Sequence, residues 1–219
     1  MSVYETSTGY GWIILKGASA TLELTILSIC VALVVAFIAG VSLTSQRRLI
    51  RGFARTYVEL FRGTSAFVQL FMAFYVLPLV GIELSPTQSC VLALGLNGGA
   101  YTAEVVRAAI EAIGQDQRET TIALNLTKLQ AMWYVILPQA TALMLPSLGN
   151  LAIETLKGTA LASLIAVPEL TNQAQMVRSQ TGETAFPFVI ILITYLAMAS
   201  LLMFFVRWLE RQYRRRIST

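Results

Sequence analysis

The sequence predicts an all-α membrane protein with about five transmembrane helices. Of its 219 residues, 56% are hydrophobic and 13% are charged, and its mean hydropathy is +0.66. Soluble domains average about 25% charged residues, so a chain this poor in charge spends much of its length in lipid. Its arginines cluster beside apolar runs, as the basic residues that orient membrane helices do. The length fits one domain, residues 1–219.

Five apolar segments supply the predicted spans. About 20 helical residues cross the ~30 Å hydrocarbon core, and the run from Leu24 to Leu43 in the first segment reaches this length without a charge. The third segment carries Glu104 and Arg107, and the fourth is interrupted by Pro138, Pro146 and Gly149. The predicted spans are 22–44, 55–80, 87–109, 135–156 and 186–208. Residues 9–17 are expected to form a flexible external segment.

The positions of the arginines predict the orientation. Four of them lie between the first span and the start of the second, and five lie at the end of the fifth span or after it, whereas the loop 81–86 has no Lys or Arg. Excess Lys and Arg mark the cytoplasmic side. The C-terminus is therefore predicted inside and the N-terminus outside, which requires an odd number of spans. The arginines are Arg47, Arg48, Arg51, Arg55, Arg207, Arg211, Arg214, Arg215 and Arg216.

Several functional classes are disfavoured by what the sequence lacks. The net charge of +4 could suggest nucleic acid, but no aromatic residues interleave with the arginines as a base-stacking surface requires. There is no histidine, and Cys30 and Cys90 have no metal-ligand spacing. We therefore expect no catalytic residue and no metal site. No Walker A sequence is present, so we expect no cofactor bound by this chain.

The segment 114–134, between the third and fourth spans, is too polar to cross a membrane. Apolar residues recur at Ile122, Leu126, Leu129 and Trp133, at the spacing of one helical stripe. Asn125 offers a break, and Thr127 follows as an N-cap candidate. The pattern predicts two short cytoplasmic helices with a turn near Asn125.

Five pieces of sequence occur in an order that resembles one transporter family. They are Tyr57-Val-Glu-Leu-Phe-Arg-Gly-Thr64; Asn97-Gly-Gly-Ala-Tyr101 with Glu104 and Arg107; Glu119-Thr-Thr121 through Asn125 to Val135-Ile-Leu-Pro138-Gln-Ala140; Leu145-Pro-Ser-Leu-Gly-Asn150; and Leu156-Lys-Gly-Thr-Ala-Leu161. Together they resemble permease subunits of ABC importers of the polar amino acid type, which include histidine, glutamine, arginine and opine permeases.

The resemblance implies a type I importer fold and a permease in the bacterial inner (plasma) membrane. Such a subunit moves an amino acid or a related solute, such as an opine or ectoine, into the cytoplasm. ATP and Mg would bind to a separate dimer of ATP-binding subunits. The other implied partners are a second permease subunit, identical or related, a periplasmic or lipid-anchored solute-binding protein, and membrane lipid.

In this family, the segment that matches 114–134 forms a coupling helix that docks in a groove of the ATPase. We call residues 114–134 the coupling segment. The family usually has alanines where Thr120 and Thr121 stand, and glycine where Asn125 stands. Asn is the best substitute for glycine at a turn that needs φ > 0. The residues that the resemblance assigns to coupling are Glu119, Thr120, Thr121, Ala123, Leu124, Asn125, Leu126 and Leu129.

Charged and polar residues inside the spans are further candidates, because an ionisable group in lipid needs a partner or a cavity. The spacing of Glu59 with Arg62, and of Glu104 with Arg107, predicts two structural ion pairs. Glu154 and Lys157 follow the Pro146–Gly149 break, and either pair with each other or line the solute path. The candidates for that path are Asn97, Tyr101, Glu154 and Lys157.

The alternative class is an ion-coupled secondary transporter or a channel subunit. No inverted repeat is detectable, which argues against it. It also leaves the coupling segment without a function.

Overall fold

All described elements are helices, so the prediction of an all-α protein is confirmed. The structure, a computed structural model, describes residues 3–217, with side chains from Gly9 to Tyr213 except those of Gln115 and Arg118. The helices are α1 (Val3–Leu43), α2 (Arg48–Gly63), α3 (Ala66–Phe71), α4 (Pro86–Ala112), α5 (Gln115–Ala123), α6 (Lys128–Ala131), α7 (Leu137–Gly158), α8 (Leu170–Thr181) and α9 (Ala185–Ile217). No β-strand occurs among residues 3–217.

The most extensive contact between two helices joins α1 to α4, and small residues allow these helices to approach each other closely. A Cβ atom added at Gly40 of α1 would lie 2.8 Å from the carbonyl oxygen of Ala103, and one added at Gly99 of α4 would lie 3.2 Å from that of Ala32. Larger side chains at these positions would force the helices apart. Small residues are the usual means of close helix packing in lipid.

The second predicted span, 55–80, is bent in the structure. Helix α2 already begins at Arg48, and it meets the stretch Ala66–Val80 at a bend of 103°. Thr64 and Ser65 are extended between them, and the Ser65 hydroxyl accepts a hydrogen bond from the Phe67 N–H as the N-cap of α3. A cap starts a new helix, so the chain changes direction here. Beyond α3 the chain continues as a π-helical turn (Met72–Val76) and a 3₁₀ turn (Leu77–Val80).

The helical stretch that contains α7 is longer and less interrupted than the predicted fourth span, 135–156. Helical backbone runs from Lys128 to Ile165 through α6, a π-helical turn (Met132–Ile136), α7 and a 3₁₀ stretch (Thr159–Ile165). Pro146 lies inside α7 and does not end it. An internal proline removes one backbone hydrogen bond, and membrane helices tolerate this where neighbouring groups satisfy the freed carbonyl. The expected break at Pro146–Gly149 is therefore wrong.

The other predicted boundaries also shift. Residues 9–17 are helical and belong to α1, because Ile14 is buried and Gly17 packs against the backbone of Leu170. The predicted spans 87–109 and 186–208 lie within α4 and α9, respectively. Helix α8 was not predicted, because its sequence is too polar to resemble a span.

By length and composition, three described helical stretches can cross a membrane: Gly9–Leu43, Lys128–Ile165 and Ala185–Tyr213. The bent pair of α2 and the stretch to Val80 makes a fourth if it is counted as one span. Helix α4 falls outside this set, yet it lies at the centre of the fold, between α1, α2 and α7. Contacts with neighbouring helices, rather than an apolar sequence of its own, therefore hold α4 in its place.

A fully buried carboxylate fixes α8 to α1 and α9. Glu169 is the N-cap of α8, and it accepts hydrogen bonds from the N–H groups of Thr171 (2.9 Å) and Asn172 (2.7 Å). The hydroxyl of Tyr195, from α9, donates to it at 3.1 Å, and the hydroxyl of Thr21, from α1, donates to it at 3.5 Å. Buried polar groups need such partners, so this network specifies one arrangement of the three helices.

Replacement of Glu169 by Ala should lower the free energy of unfolding by about 2 kcal/mol, because it removes the cap of α8 and leaves buried donors unsatisfied. The midpoint of thermal unfolding in detergent measures this. Glu183→Ala, at an exposed acidic residue between α8 and α9, is the control. Equal midpoints for the two variants would contradict the role of this network.

Candidate functional site

The coupling segment contains one short helix, α5, and a turn near Asn125, as the sequence predicts. The second predicted short helix is instead α6, the first turn of the continuous helical stretch Lys128–Ile165. Helix α5 follows α4 after two residues, and its last turn leads to Asn125 with φ of 51°. This left-handed conformation is the one that glycine adopts most easily and that Asn tolerates. Thr127 then caps α6: its hydroxyl accepts from the N–H of Gln130 at 3.3 Å, and the Gln130 side chain accepts from the N–H of Thr127 at 2.9 Å.

This segment exposes a patch of large apolar side chains. Ile122 is 75% exposed, Leu124 65% and Leu129 69%, and Trp133 and Tyr134 are exposed just beyond α6. Most of the other residues of the segment are polar. Several large apolar side chains exposed within one short segment indicate a candidate site of interaction.

Not all residues that the sequence assigned to coupling lie on this surface. Thr121 is buried and Leu126 is half-buried, so both fix the turn to the rest of the molecule. The exposed members of the set are Glu119, Thr120, Ala123, Leu124, Asn125 and Leu129.

The coupling segment is joined to the spans on three sides. Lys128 Nζ donates to Gln46 Oε1 at 3.2 Å, which links α6 to the loop between α1 and α2. The rings of Trp133 and Phe37 lie 5.9 Å apart, and the Gln139 amide donates to the Gln117 side chain at 3.3 Å. Together with the continuous backbone from α4 and into α7, these contacts fix the segment to α1, α4 and α7.

A small cavity, of about 110 Å³, brings together three of the four predicted solute-path residues. Asn97, Tyr101 and Glu154 line it, whereas Lys157 does not. Residues that the sequence analysis did not single out complete the wall: Ala66, Leu94, Gly98, Leu151, Thr155, Gly158 and Leu161. The cavity thus lies where the α3 start, α4 and α7 meet, and the Asn97 amide also donates to the Phe61 carbonyl at 3.1 Å.

The predicted ion pairs are half right. Arg107 Nε lies 2.8 Å from Glu104 Oε2, and Arg107 also contacts Glu111. The pair Glu59–Arg62 is wrong: Glu59 lies 3.6 Å from Arg55, and Arg62 lies 4.0 Å from Glu104. A helical residue has neighbours at both i−4 and i+3, and Arg62 lies next to the end of α2, where it reaches α4 instead.

No ion pair joins Glu154 to Lys157; both side chains are exposed on α7. The alternative of an internal ion pair between them is therefore wrong. Glu154 instead offers a carboxylate to the cavity that Asn97 and Tyr101 line.

Two functional features had weak signals in the sequence. The guanidinium of Arg62 lies 5.2 Å from the centre of the Tyr101 ring, and the Tyr57 hydroxyl donates to the Leu96 carbonyl at 2.6 Å. Both contacts join α2 to α4. The motifs that contain Arg62 and Tyr101 were noted in the sequence, but the contact between them depends on the bend after α2. Among the described residues, no group of three His, Cys, Asp or Glu side chains could hold a metal ion.

Comparison with known families and proteins identifies relatives of this chain. A family model described as "Binding-protein-dependent transport system inner membrane component" matches residues 28–215. The chain is 42% identical to a probable amino-acid ABC transporter permease protein (y4tF) of Sinorhizobium fredii, over 89% of this chain and 84% of that one. It is 33% identical to the glutamine transport system permease protein GlnP of Escherichia coli, over 91% and 92% of the two chains.

Solved structures agree in fold. A chain of a structure described as an amino acid ABC transporter with histidines superposes with a TM-score of 0.87 at 33% identity, over 97% of this chain and 100% of that one. A chain of the MetNI methionine ABC transporter superposes with a TM-score of 0.78 at 20% identity, over 97% and 99% of the two chains, which shows a shared fold.

Two substitutions of Asn125 test whether the turn requires a left-handed backbone conformation at this residue. Asn125→Gly should keep the turn, because glycine adopts positive φ freely. Asn125→Val should destabilise it by about 1–2 kcal/mol, because a β-branched residue is strained there. Amide hydrogen exchange of residues 115–131 measures the difference, with faster exchange expected only in the valine variant. Equal exchange in both variants would contradict a left-handed residue at this position.

Proposed function

Because the chain belongs to the family of binding-protein-dependent transport system inner membrane components, we propose that it is the permease subunit of an ABC importer for amino acids or related small polar solutes. Its fold is the type I permease fold. The chain itself is not the catalytic subunit; ATP and Mg bind to a separate ATPase, and the permease converts movement of that ATPase into movement of its spans.

The observation that carries this proposal is the exposed apolar patch of the coupling segment. Ile122, Leu124 and Leu129 would cost free energy in water, so a stable permease needs a partner that covers them. An ATPase subunit with an apolar groove is such a partner. The polar rim of the segment, including Glu119 and Thr120, would set the orientation of docking.

We infer five crossings of a bacterial inner (plasma) membrane, with the N-terminus outside and the C-terminus in the cytoplasm. The crossings are α1, the bent pair α2–α3, α4, α7 and α9. Two observations support this count. Helix α4 lies between other helices, so it can cross without a strongly apolar sequence, and the arginine clusters at 47–55 and 207–216 then lie on the same side as the coupling segment.

A transport path needs a second permease subunit and a source of solute. We propose a dimer of permeases, identical or paired with a related chain, two ATP-binding subunits on the cytoplasmic face, and a periplasmic or lipid-anchored solute-binding protein outside. Membrane lipid covers the outer face of α9, where Leu192, Leu196 and Leu201 are exposed.

The cavity between α3, α4 and α7 is the proposed solute path, and Asn97, Tyr101 and Glu154 would contact the solute there. The Glu154 carboxylate suits an ammonium group, and the Asn97 amide can donate to a carboxylate. Lys157 lies one turn beyond Glu154, outside the cavity wall, and would act at the entrance. The names of relatives include glutamine and L-cystine permeases, which suits a zwitterionic solute.

Replacement of Glu119 by Lys should uncouple the importer, because a reversed charge at the docking surface repels the ATPase. We expect ATP-driven uptake of a mixture of radiolabelled amino acids into proteoliposomes to fall by about tenfold or more, with insertion of the chain unchanged. The control is Glu183→Lys, which reverses an exposed charge in the loop before α9.

Normal uptake by the Glu119→Lys variant would show that the ATPase docks elsewhere. Uptake by the purified permease alone, driven by an ion gradient, would instead favour a secondary transporter.

Replacement of Glu154 by Gln tests the solute path. Loss of a charge-assisted hydrogen bond to the solute should lower uptake by about tenfold, while the ATPase activity of the complex without solute stays unchanged. Lys157→Gln should have a smaller effect, since its side chain lies outside the cavity wall. Unchanged uptake in Glu154→Gln would remove this carboxylate from the path.

A further inference from the structure

One arginine lies across the end of the cavity that is nearer to the coupling segment. Arg62 comes from the last turn of α2, immediately before the bend. Its guanidinium lies 5.2 Å from the centre of the Tyr101 ring, and its Nη1 lies 4.0 Å from Glu104 Oε1. The Tyr101 hydroxyl donates to the backbone carbonyl of Arg62 at 3.4 Å. Arg62 therefore bridges two helices one turn beyond a residue of the cavity wall.

Charged residues continue from this point along α4. Asn97, Tyr101, Glu104 and Glu111 share one face of the helix, since they are separated by four, three and seven residues. Arg107 joins the two carboxylates, and all three side chains of this ladder are partly exposed. The face thus carries polar and charged residues from the cavity towards the end of α4, after which the coupling segment begins.

We propose that the contact of Arg62 with Tyr101 and Glu104 is a gate, which closes the cavity on the side of the coupling segment. This inference rests on the proposed permease function. When the gate opens, the ladder Glu104–Arg107–Glu111 offers charges of both signs to a departing zwitterion. The gate and the ladder form the exit half of the solute path.

The geometry makes this contact easier to open than its neighbours. Glu104 keeps Arg107 at 2.8 Å when Arg62 leaves, so no carboxylate is left without a partner. The two sides of the gate also belong to separately connected helices. Helix α4 continues into α5 after two residues, whereas Arg62 belongs to α2. Movement of the coupling segment therefore displaces Glu104 and Tyr101 relative to Arg62.

Access to the cavity tests the gate without any knowledge of the solute. A single cysteine is introduced by Asn97→Cys, with Cys30→Ala and Cys90→Ala, in the complete importer in inside-out vesicles. The rate of modification by a charged, membrane-impermeant methanethiosulfonate reagent is measured without ATP. Arg62→Ala should raise this rate by about fivefold, the shift expected when one partly exposed ion pair is lost. Glu104→Gln should act in the same direction.

The matched control is Arg55→Ala, which removes an ion pair of the same helix that does not reach α4. Equal rates for Arg62→Ala and Arg55→Ala would overturn the gate. Should Arg62→Ala fail to insert, Glu104→Gln decides the question, because Arg107 retains Glu111 as a partner. The modification rate is measured without ATP and does not depend on solute uptake. A complex that fails to transport amino acids would therefore contradict the proposed function but not the gate.

Discussion

The close packing of α4 against α1 is the constraint on which the rest of the molecule depends. Helix α4 carries three charged residues near its end and is too polar to hold its place in lipid alone. Small residues such as Gly40 and Gly99 let the two backbones approach, so that α4 becomes an internal helix with protein on several sides. In this position, neighbouring helices can supply partners for its polar residues.

The functional elements follow from this central position of α4. Its middle turns supply Asn97 and Tyr101 to the cavity, its later turns supply the ladder that starts at Glu104, and its end passes directly into the coupling segment. The coupling segment is thus connected to the cavity by two helices, because α5 follows α4 after two residues and α6 continues into α7. The contacts of Lys128 with Gln46 and of Trp133 with Phe37 hold the segment to α1 and to the loop that follows it.

Local features such as turns and helix caps could be predicted from the sequence, whereas contacts between distant segments could not. The turn at Asn125 and the cap at Thr127 depend on a few adjacent residues, and both were predicted correctly. The bend after α2 depends on Ser65, whose capping role competes with helix continuation, and hydropathy does not detect that competition. The partner of Arg62 was mispredicted for a related reason. Periodicity along one helix does not identify residues of a neighbouring helix that the bend brings close. Helix α8 escaped detection because its stability comes from Glu169, Tyr195 and burial of one face rather than from hydropathy.

The central claim is that an ATPase grips this permease at α5 and α6. Site-specific photocrosslinking tests it most directly, with a photoreactive amino acid in place of Leu129 on α6, and in place of the comparably exposed Leu192 on α9 as the reference. In the assembled importer, illumination should join the Leu129 variant to the ATP-binding subunit and should leave the Leu192 variant unjoined to it. Crosslinking to that subunit from α9, with none from α6, would contradict the account.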